Sequence, residues 1–285
     1  MEYTSPLLAR RAGWRLRLAR PPAALCLSSG FSSSAACGGG RAMPSASSVA
    51  EAAVRLSGRV QRTPVLRSEA LDREAGCSLF FKAEHLQATG SFKLRGALNA
   101  VLALSEERAQ AGVAAHSSGN HAAAVAAAAA GRGLRCTIVV PEGTPVAKQE
   151  NARAFGAKVV VCAPTQRARR ETVIEEAQRM GGAAIIHPYE DPLVIAGQGT
   201  MALELLEQCP GLDAIVVPTS GGGMITGVAL AAATRGIRVF AAEPRGKRLA
   251  EAFAMGQRVL DPAAAERPID TIADAIRTQP LGAPR

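Results

Sequence analysis

The chain has 285 residues, of which 48% are hydrophobic and 20% charged, and its formal net charge at pH 7 is +9. This length allows two modest domains. No apolar run is long enough to span a bilayer, and the positive residues beyond the N-terminal segment are scattered, which argues against membrane and nucleic-acid-binding proteins.

Residues 1–42 differ in composition from the rest of the chain. They contain six arginines and one acidic residue, Glu2, and so carry +5 of the formal charge. A basic, acid-poor segment is typical of an organelle transit peptide; the alternative is an unstructured extension upstream of Met43 as the working start. We expect residues 1–44 to lie outside the fold. The protein is then cytoplasmic, or mitochondrial or in another organelle if the segment acts as a transit peptide.

The segment Gly90–Ala97 places Lys93 between glycines and before an apolar, helix-like run. A lysine attacks carbonyls only as the neutral amine, and a semi-buried position beside a second cation, here Arg95, would lower its pKa. Lys93 is therefore a candidate to hold an aldehyde as a Schiff base. The alternative is a surface lysine that begins a helix.

The segment Ser117–His121 follows the apolar run 112–115 and precedes an alanine-rich helix. Backbone N–H groups at a strand-to-helix turn have no helical partner and favour negative charge, so this turn is a candidate carboxylate site.

From Val113 onward, short apolar runs alternate with helical stretches, which predicts βαβ units and a parallel sheet with helices on both faces. The predicted strands are Val113–Ala115, Cys136–Val140, Lys158–Cys162, Ala183–His187, Ala214–Pro218 and Val239–Ala242. The predicted helices are Asn120–Ala130, Pro145–Phe155, Arg167–Met180, Ile195–Gln208, Ile225–Arg235 and Lys247–Met255. Glycines that cap helices in the left-handed conformation are expected at Gly131, Gly156, Gly181, Gly236 and Gly256.

A glycine-rich turn joins a predicted strand to a predicted helix at Ser220, Gly221, Gly222, Gly223 and Met224. Three consecutive glycines allow the backbone to approach a phosphate closely. The turn has neither the GKS or GKT of a Walker loop nor the GxGxxG spacing of a dinucleotide-binding loop. The alternative is that it is only a tight connection between the strand and the helix. A reactive lysine, a carboxylate site and a phosphate loop together suit pyridoxal phosphate (PLP).

With these residues, the sequence resembles the fold-type II PLP enzymes, within them the serine racemase and serine/threonine ammonia-lyase (dehydratase) branch. The resemblance covers Thr63 to Ile276. It is carried by TPVLRS from Thr63, FFKAEHLQATGSFKLRGALNAV, HSSGNH, HPYEDPLVIAGQGT from His187, VVPTSGGGM, AAEP at Ala241 and TIAD at Thr271.

The resemblance implies an α/β fold similar to the tryptophan synthase β chain, with two parallel-sheet domains and the cofactor in the cleft between them. The large domain comprises residues 45–111 and 189–285, and the small domain comprises residues 112–188. It also implies serine, with threonine as a second possibility, as the substrate, and a homodimer in the full-length family.

The same resemblance assigns roles to individual residues. Lys93 holds the cofactor and transfers protons on one face of the substrate, Phe92 packs against the cofactor ring, and Asn120 binds the ring hydroxyl. Residues 220–224, that is Ser220, Gly221, Gly222, Gly223 and Met224, bind the phosphate. Ser117, Ser118, Asn120 and His121 receive the substrate.

Ser118 bears on the reaction type. Racemisation requires a second proton carrier opposite Lys93, whereas elimination of water from serine does not. The resemblance places a serine at this position in serine racemases and an alanine in many threonine ammonia-lyases. Ser118 therefore favours a racemase that also eliminates water; an N-cap role for Ser118 in an ammonia-lyase is the alternative.

Three positions depart from the family pattern. Glu243 matches one carboxylate of a Mg²⁺ or Ca²⁺ site, but Leu249 falls where a second acid is expected, and such ions require several oxygen ligands. Ala275 replaces a glycine beside the cofactor ring. The sequence ends at Arg285, so we expect an incomplete large domain in a truncated or spliced product, and a catalytically inactive form of the same gene product is a further alternative.

Overall fold

The computed structural model describes residues 43–117, 119–257, 269–278 and 281–282, and the possible transit peptide at residues 1–42 lies outside them. Within this part of the chain, the helices are α1 (Ala46–Leu56), α2 (Glu69–Ala75), α3 (Lys93–Leu102), α4 (Glu106–Gln110), α5 (Asn120–Gly131), α6 (Val146–Arg153), α7 (Gln166–Arg179), α8 (Pro192–Gln208), α9 (Gly223–Ala233) and α10 (Leu249–Ala254). The strands there are β1 (Val65–Leu66), β2 (Phe81–Lys82), β3 (Val113–His116), β4 (Cys136–Pro141), β5 (Lys158–Cys162), β6 (Ala184–Ile185), β7 (Ala214–Pro218) and β8 (Arg238–Ala242). None of the described helices combines the length and apolar character needed to cross a membrane.

A four-stranded parallel sheet has the order β5–β4–β3–β6, with Val113 opposite Cys136 and Ala184. Successive residues of β3 and β4 alternate between two hydrophobic cores. One core contains Val113 and lies under α3 and α5; the other contains Ala114 and lies under α7. The predicted parallel sheet with helices on both faces is therefore confirmed, and the domain boundaries at 112 and 188 stay a prediction.

A third core lies around α8, against which α1, α3 and α9 pack. The parallel pair β7–β8 covers part of this core, with Ala214 opposite Arg238. A short antiparallel pair, β1–β2, was not predicted from the sequence, and neither was α1. The α1 helix begins at a capping box, in which Ser45 and Ser48 exchange side-chain and backbone hydrogen bonds.

The helix that begins with Lys93 and the helix that follows the glycine turn both pack on α8 through glycines. A Cβ added to Gly197 of α8 would lie 2.6 Å from the Arg95 carbonyl oxygen and 2.7 Å from the Gly96 Cα of α3. A Cβ added to Gly199 of α8 would lie 2.6 Å from the Gly227 carbonyl oxygen of α9. The main chains of the three helices therefore touch directly, with no side chain between them.

Four of the five predicted helix-ending glycines have positive φ, as expected: Gly156, Gly181, Gly236 and Gly256. The prediction for Gly131 is wrong, because this residue is the last of α5 and the left-handed residue is Gly133, with φ +67°. The Arg132 side chain donates hydrogen bonds to the carbonyl oxygens of Val101 and Leu104, 2.8 and 2.9 Å away. These contacts hold the chain at the end of α5 before the turn.

Candidate active site

The sequence segments predicted to bind PLP and its substrate meet at one cavity of about 940 Å³. This volume lies in the range of sites for small ligands. The predicted site residues that line it are Phe92, Lys93, Ser117, Asn120, His121, Ser220, Gly221, Gly222 and Met224. Ser118 lies outside the described residues.

Lys93 begins α3, and its Nζ donates a hydrogen bond to the Pro188 carbonyl oxygen at 2.9 Å. The Phe92 ring lies beside it, with its centroid 5.3 Å from Nζ. Burial lowers the pKa of Lys93 to about 8. A substantial fraction of this amine is therefore neutral in mildly alkaline solution, which is the form that attacks a carbonyl.

The prediction that Arg95 lowers the pKa of Lys93 is wrong, since burial of Lys93 accounts for the change. Arg95 is fully buried, with Nε 2.8 Å from a Glu84 oxygen and Nη1 2.7 Å from a Glu204 oxygen. Burial opposes its charge, but the hydrogen bonds to Glu84 and Glu204 outweigh this and raise the pKa of Arg95. Two carboxylates thus pair with Arg95, which has a structural role between α3 and α8.

The glycine turn has N–H groups that face away from the described acceptors of the chain. Its carbonyl oxygens, by contrast, accept hydrogen bonds: Thr219 and Ser220 from Lys247 Nζ, Gly221 from Gly282 N–H, and Gly222 from Thr226 N–H and Oγ1. Among the described residues, no acceptor is hydrogen-bonded to the N–H groups of Ser220, Gly221 or Gly222. Consecutive N–H groups before the first turn of α9 form a site suited to a phosphate.

Tyr189 explains two of the glycines in this turn. A Cβ on Gly221 would lie 2.5 and 2.6 Å from ring atoms of Tyr189, and one on Gly223 would lie 2.8 Å from the Tyr189 Cα. Gly222 has φ +95°, a conformation that L-residues rarely adopt. Each glycine is thus required by the packing or the backbone, which holds the turn against the 188–189 segment that also contacts Lys93.

We expect Gly222→Val to weaken PLP affinity about tenfold or more. The sequence suggested that glycine is needed there for close approach to the phosphate, whereas the structure gives two other reasons. A Cβ at this position would lie 3.2 Å from Leu281 Cδ2. The positive φ also strains any β-branched residue, at a cost of about 1–3 kcal/mol. The measurement is a PLP titration by absorbance.

Gly211→Val is the matched control for this substitution, because Gly211 also has positive φ, +91°, but a Cβ there meets nothing within 4 Å. It should lower the melting temperature and leave PLP affinity unchanged. Unchanged affinity in Gly222→Val would place the phosphate elsewhere.

The turn before α5 offers a second set of N–H groups. The N-cap is Gly119, with no side-chain capping bond, and its N–H donates to Ser117 Oγ at 3.3 Å. His121 is buried, and burial lowers its pKa to about 3, with Lys93 contributing. Its Nε2 lies 2.9 Å from the Ile186 carbonyl oxygen, so the neutral ring carries its proton on Nε2, and Nδ1 is an acceptor. The contact of His121 with a carboxylate that the sequence predicts would therefore be made by its backbone N–H.

The cavity is also lined by His116, Pro188 and Tyr189, and Lys247 lies behind the glycine turn; none of these four residues was predicted to take part in the site. Burial lowers the pKa of His116 to about 4, and its Nε2 has no partner among the described residues. Pro188 and Tyr189 belong to the HPYEDP segment that carries part of the resemblance. The sequence therefore did contain a signal for Pro188 and Tyr189, since their motif supported the resemblance, but it indicated no role for either residue.

The residues present fit PLP but not a divalent cation. A lysine with a lowered pKa and a cradle of N–H groups line the same cavity, as an aldehyde with a phosphate requires. Both carboxylate oxygens of Glu243 lie 3.0 Å from the Leu249 N–H, which donates to them. In the described ranges, no group of three His, Cys, Asp or Glu side chains could hold a metal ion. Ala275, the position that departs from the family's glycine, is one of the residues that line the cavity.

Residues 56–285 match the family model described as pyridoxal-phosphate dependent enzyme. The chain is 48% identical over 233 residues to a serine racemase of Arabidopsis thaliana, covering 81% of this chain and 69% of that protein. The structure of maize serine racemase superposes with a TM-score of 0.79 at 43% identity, over 85% of this chain and 72% of that chain. The structure of a T.th. threonine deaminase gives a TM-score of 0.76 at 41% identity, over 84% of this chain and 77% of that chain.

Proposed function

Because the chain belongs to the family of pyridoxal-phosphate dependent enzymes, we propose that it is a serine racemase that also eliminates water from serine, giving pyruvate and ammonia. The observation that carries this proposal is a single cavity that combines the Lys93 amine with the N–H groups of the glycine turn, which have no partner in the part of the chain that the structure describes. The likeness to the Arabidopsis and maize serine racemases supports serine as the substrate.

In this proposal Lys93 binds the cofactor aldehyde, and the N–H groups of Ser220 to Met224 bind its phosphate. Phe92, whose ring lies next to the lysine amine, packs against the cofactor ring, and Asn120 binds the ring hydroxyl. When bound, PLP supplies an electron sink that weakens the Cα–H bond of the amino acid attached to it.

Lys93 serves as the proton carrier on one face of the substrate. With a pKa of about 8, its amine both takes up and releases protons near neutral pH, as a general acid and base must. The Pro188 carbonyl oxygen, 2.9 Å from Nζ, orients the amine. Ser118 is the proposed carrier on the opposite face.

The substrate carboxylate binds at the N-terminus of α5. Asn120 and His121 are the first two helical residues, and their N–H groups have no helical partner. Ser117 adds a hydroxyl beside them. Since His121 is neutral and its ring N–H donates to Ile186, the positive end of the helix dipole supplies the favourable field for the carboxylate.

A serine/threonine ammonia-lyase is the second candidate, favoured by the likeness to the threonine deaminase structure. The proton carriers distinguish the two candidates. An ammonia-lyase requires a carrier on the Lys93 face only, so it would form pyruvate or 2-oxobutyrate without D-serine.

The test is to incubate the PLP-loaded protein with L-serine and to measure D-serine by chiral chromatography and pyruvate by a coupled assay. We expect both products. Pyruvate without D-serine would select the ammonia-lyase, and neither product would reject both candidates for this chain.

A homodimer and a cytoplasmic location, or an organelle if residues 1–42 direct the protein there, complete the proposal. Size-exclusion chromatography with light scattering and a fusion of residues 1–42 to a fluorescent protein test these two points.

A further inference from the structure

Lys247 is a buried lysine directly behind the glycine turn. Only 2% of its surface is exposed, although it lies in the basic run Arg245–Arg248. Its Nζ donates to three carbonyl oxygens: Ser220, Thr278 at 2.9 Å and Thr219 at 3.4 Å. A lysine ammonium has three N–H donors and no acceptor, so these three oxygens use its full donor capacity.

The same atoms resemble the ligands of a cation site. Backbone carbonyl oxygens and a carboxylate are the groups that hold hard cations in proteins. Here three carbonyl oxygens surround Nζ. Burial lowers the pKa of Lys247, and the Glu243 carboxylate partly opposes this change. The resulting pKa of about 8 leaves Lys247 predominantly protonated at pH 7.

We infer that the ammonium of Lys247 is a built-in cation, which replaces a bound divalent ion and fixes the glycine turn for PLP binding. Lys247 holds the carbonyl oxygens of Thr219 and Ser220 on one side of the turn, and this fixes the orientation of the peptide groups whose N–H groups are proposed to bind the phosphate. Because Thr278 also bonds to Lys247, one ammonium connects the turn after β7 to residues 269–278. Lys247 is thus a positioning residue in the proposed function, on which this inference rests.

A divalent cation and Lys247 cannot share these oxygens. The ammonium occupies the three carbonyl groups, and a second positive charge beside it would be repelled. Leu249 supplies no carboxylate, and its N–H engages both oxygens of Glu243. The protein should therefore bind PLP without Mg²⁺ or Ca²⁺.

Two substitutions separate a cation role from simple bonding between segments. Lys247→Ala removes the ammonium and leaves space among the carbonyl groups, whereas Lys247→Met removes the charge and fills the space. Arg248→Asn is the control: it removes the adjacent charge, and asparagine tolerates the φ of +51° found there. Two quantities are measured for each protein: the melting temperature without PLP and the dissociation constant of PLP. Each is measured in the presence of EDTA, Mg²⁺, Ca²⁺, K⁺ or ammonium. Tetramethylammonium keeps the ionic strength equal in all samples.

We expect wild type and Arg248→Asn to respond to none of these additions. Both Lys247 variants should lose about 10- to 100-fold in PLP affinity, as expected when several charged hydrogen bonds are removed. Ammonium or K⁺ should raise both the melting temperature and the PLP affinity of Lys247→Ala, because a cation can enter the vacated space. Neither cation should change these two values for Lys247→Met, in which the side chain fills that space.

Three outcomes would overturn the inference. The first is that EDTA destabilises the wild type and that Mg²⁺ or Ca²⁺ restores its stability. The second is that Lys247→Ala keeps full PLP affinity. The third is that Lys247→Ala responds to cations no more than Lys247→Met does. If neither variant folds, the response of the wild type to EDTA and cations decides. Failure of the wild type to bind PLP would reject the proposed function instead, while the melting temperatures would still test the role of Lys247.

Discussion

Replacing Lys93 by methionine is expected to abolish the formation of both D-serine and pyruvate, while making the cofactor-free protein more stable at pH 7. Activity is lost because methionine has no amine to bind the cofactor or carry a proton. Stability rises because burial lowers the pKa of Lys93 from 10.5 to about 8, so folding at pH 7 buries a charge. This difference corresponds to about 3 kcal/mol. Methionine also loses the hydrogen bond to the Pro188 carbonyl oxygen, which costs about 1 kcal/mol. The expected net increase in the free energy of unfolding is therefore about 2 kcal/mol.

The pH dependence of this gain follows from the direction of the pKa change. Below about pH 8 the lysine is protonated in both states, and the full burial cost is present. Between pH 8 and 10.5 the folded wild type releases its proton before the unfolded chain does, so its stability rises with pH and the advantage of methionine declines. Above pH 10.5 the charge contributes nothing. Lys247 also has a lowered pKa, but it is present in both proteins, so its effect on stability does not change the difference between them.

Denaturant unfolding at about pH 7, 9 and 10.5 measures the difference in free energy of unfolding across this range, and the two product assays measure turnover. A methionine variant that keeps turnover would remove Lys93 from the mechanism. A stability advantage that is the same at all pH values would show that the charge of Lys93 is not its cause. Borohydride reduction of PLP-loaded wild type and peptide mapping provide the positive control, and the pyridoxyl group should be found on Lys93 rather than on Lys82, Lys148 or Lys158.

The second large effect is expected for Ser118→Ala, which should lower racemisation of serine about 10²- to 10⁴-fold and leave elimination from L-serine largely intact, because a general acid or base contributes a factor of this size. Elimination takes its proton on the Lys93 face, and that carrier is unchanged. Rates of D-serine and pyruvate formation from L-serine, measured in the same reaction mixture, give the ratio directly.

The alternative for Ser118 is a helix cap, whose loss costs about 1 kcal/mol and lowers both rates through the folded fraction. The N-cap of α5 is Gly119, so this alternative has no support from the described helix. Ser117→Ala is the matched control. Its hydroxyl is proposed to bind the carboxylate, so both rates should fall together through a higher KM. Equal loss of both rates in Ser118→Ala, with a lower melting temperature, would leave Ser118 a structural residue.

Local signals predicted much of the fold. Strands Lys158–Cys162 and Ala214–Pro218 match the prediction residue for residue, because short runs rich in β-branched residues between turns specify strands even where, as here, part of the strand is exposed. The α8 helix begins three residues earlier than predicted. Asp191 caps it, accepting from the Leu193 N–H at 2.8 Å, and Pro192 occupies its first position. This Asp-Pro pair was a readable start signal, which the apolar pattern alone did not include.

Interactions between distant residues could not be predicted in this way. Arg95 was interpreted as a charge acting on Lys93, yet its partner Glu204 lies 109 positions further along the chain. Lys247, within the basic run Arg245–Arg248, was predicted only as the first residue of a helix, yet it is buried and bonded to residues 219, 220 and 278. A charge pattern does not reveal which charge is buried, because burial depends on partners that the fold brings together.

The direct contact of α3 and α9 with α8 through Gly197, Gly199 and Gly227 has a consequence for cofactor affinity. Side chains that define a site must be immobilised when a ligand binds, at about 0.5–1.5 kcal/mol for each rotamer-rich side chain. Here the N-terminus of the lysine helix and the glycine turn are placed by main chain packed on main chain, which has no rotamers to lose. The entropy of ordering this part of the site is therefore lost during folding, and it does not reduce the affinity a second time when PLP binds.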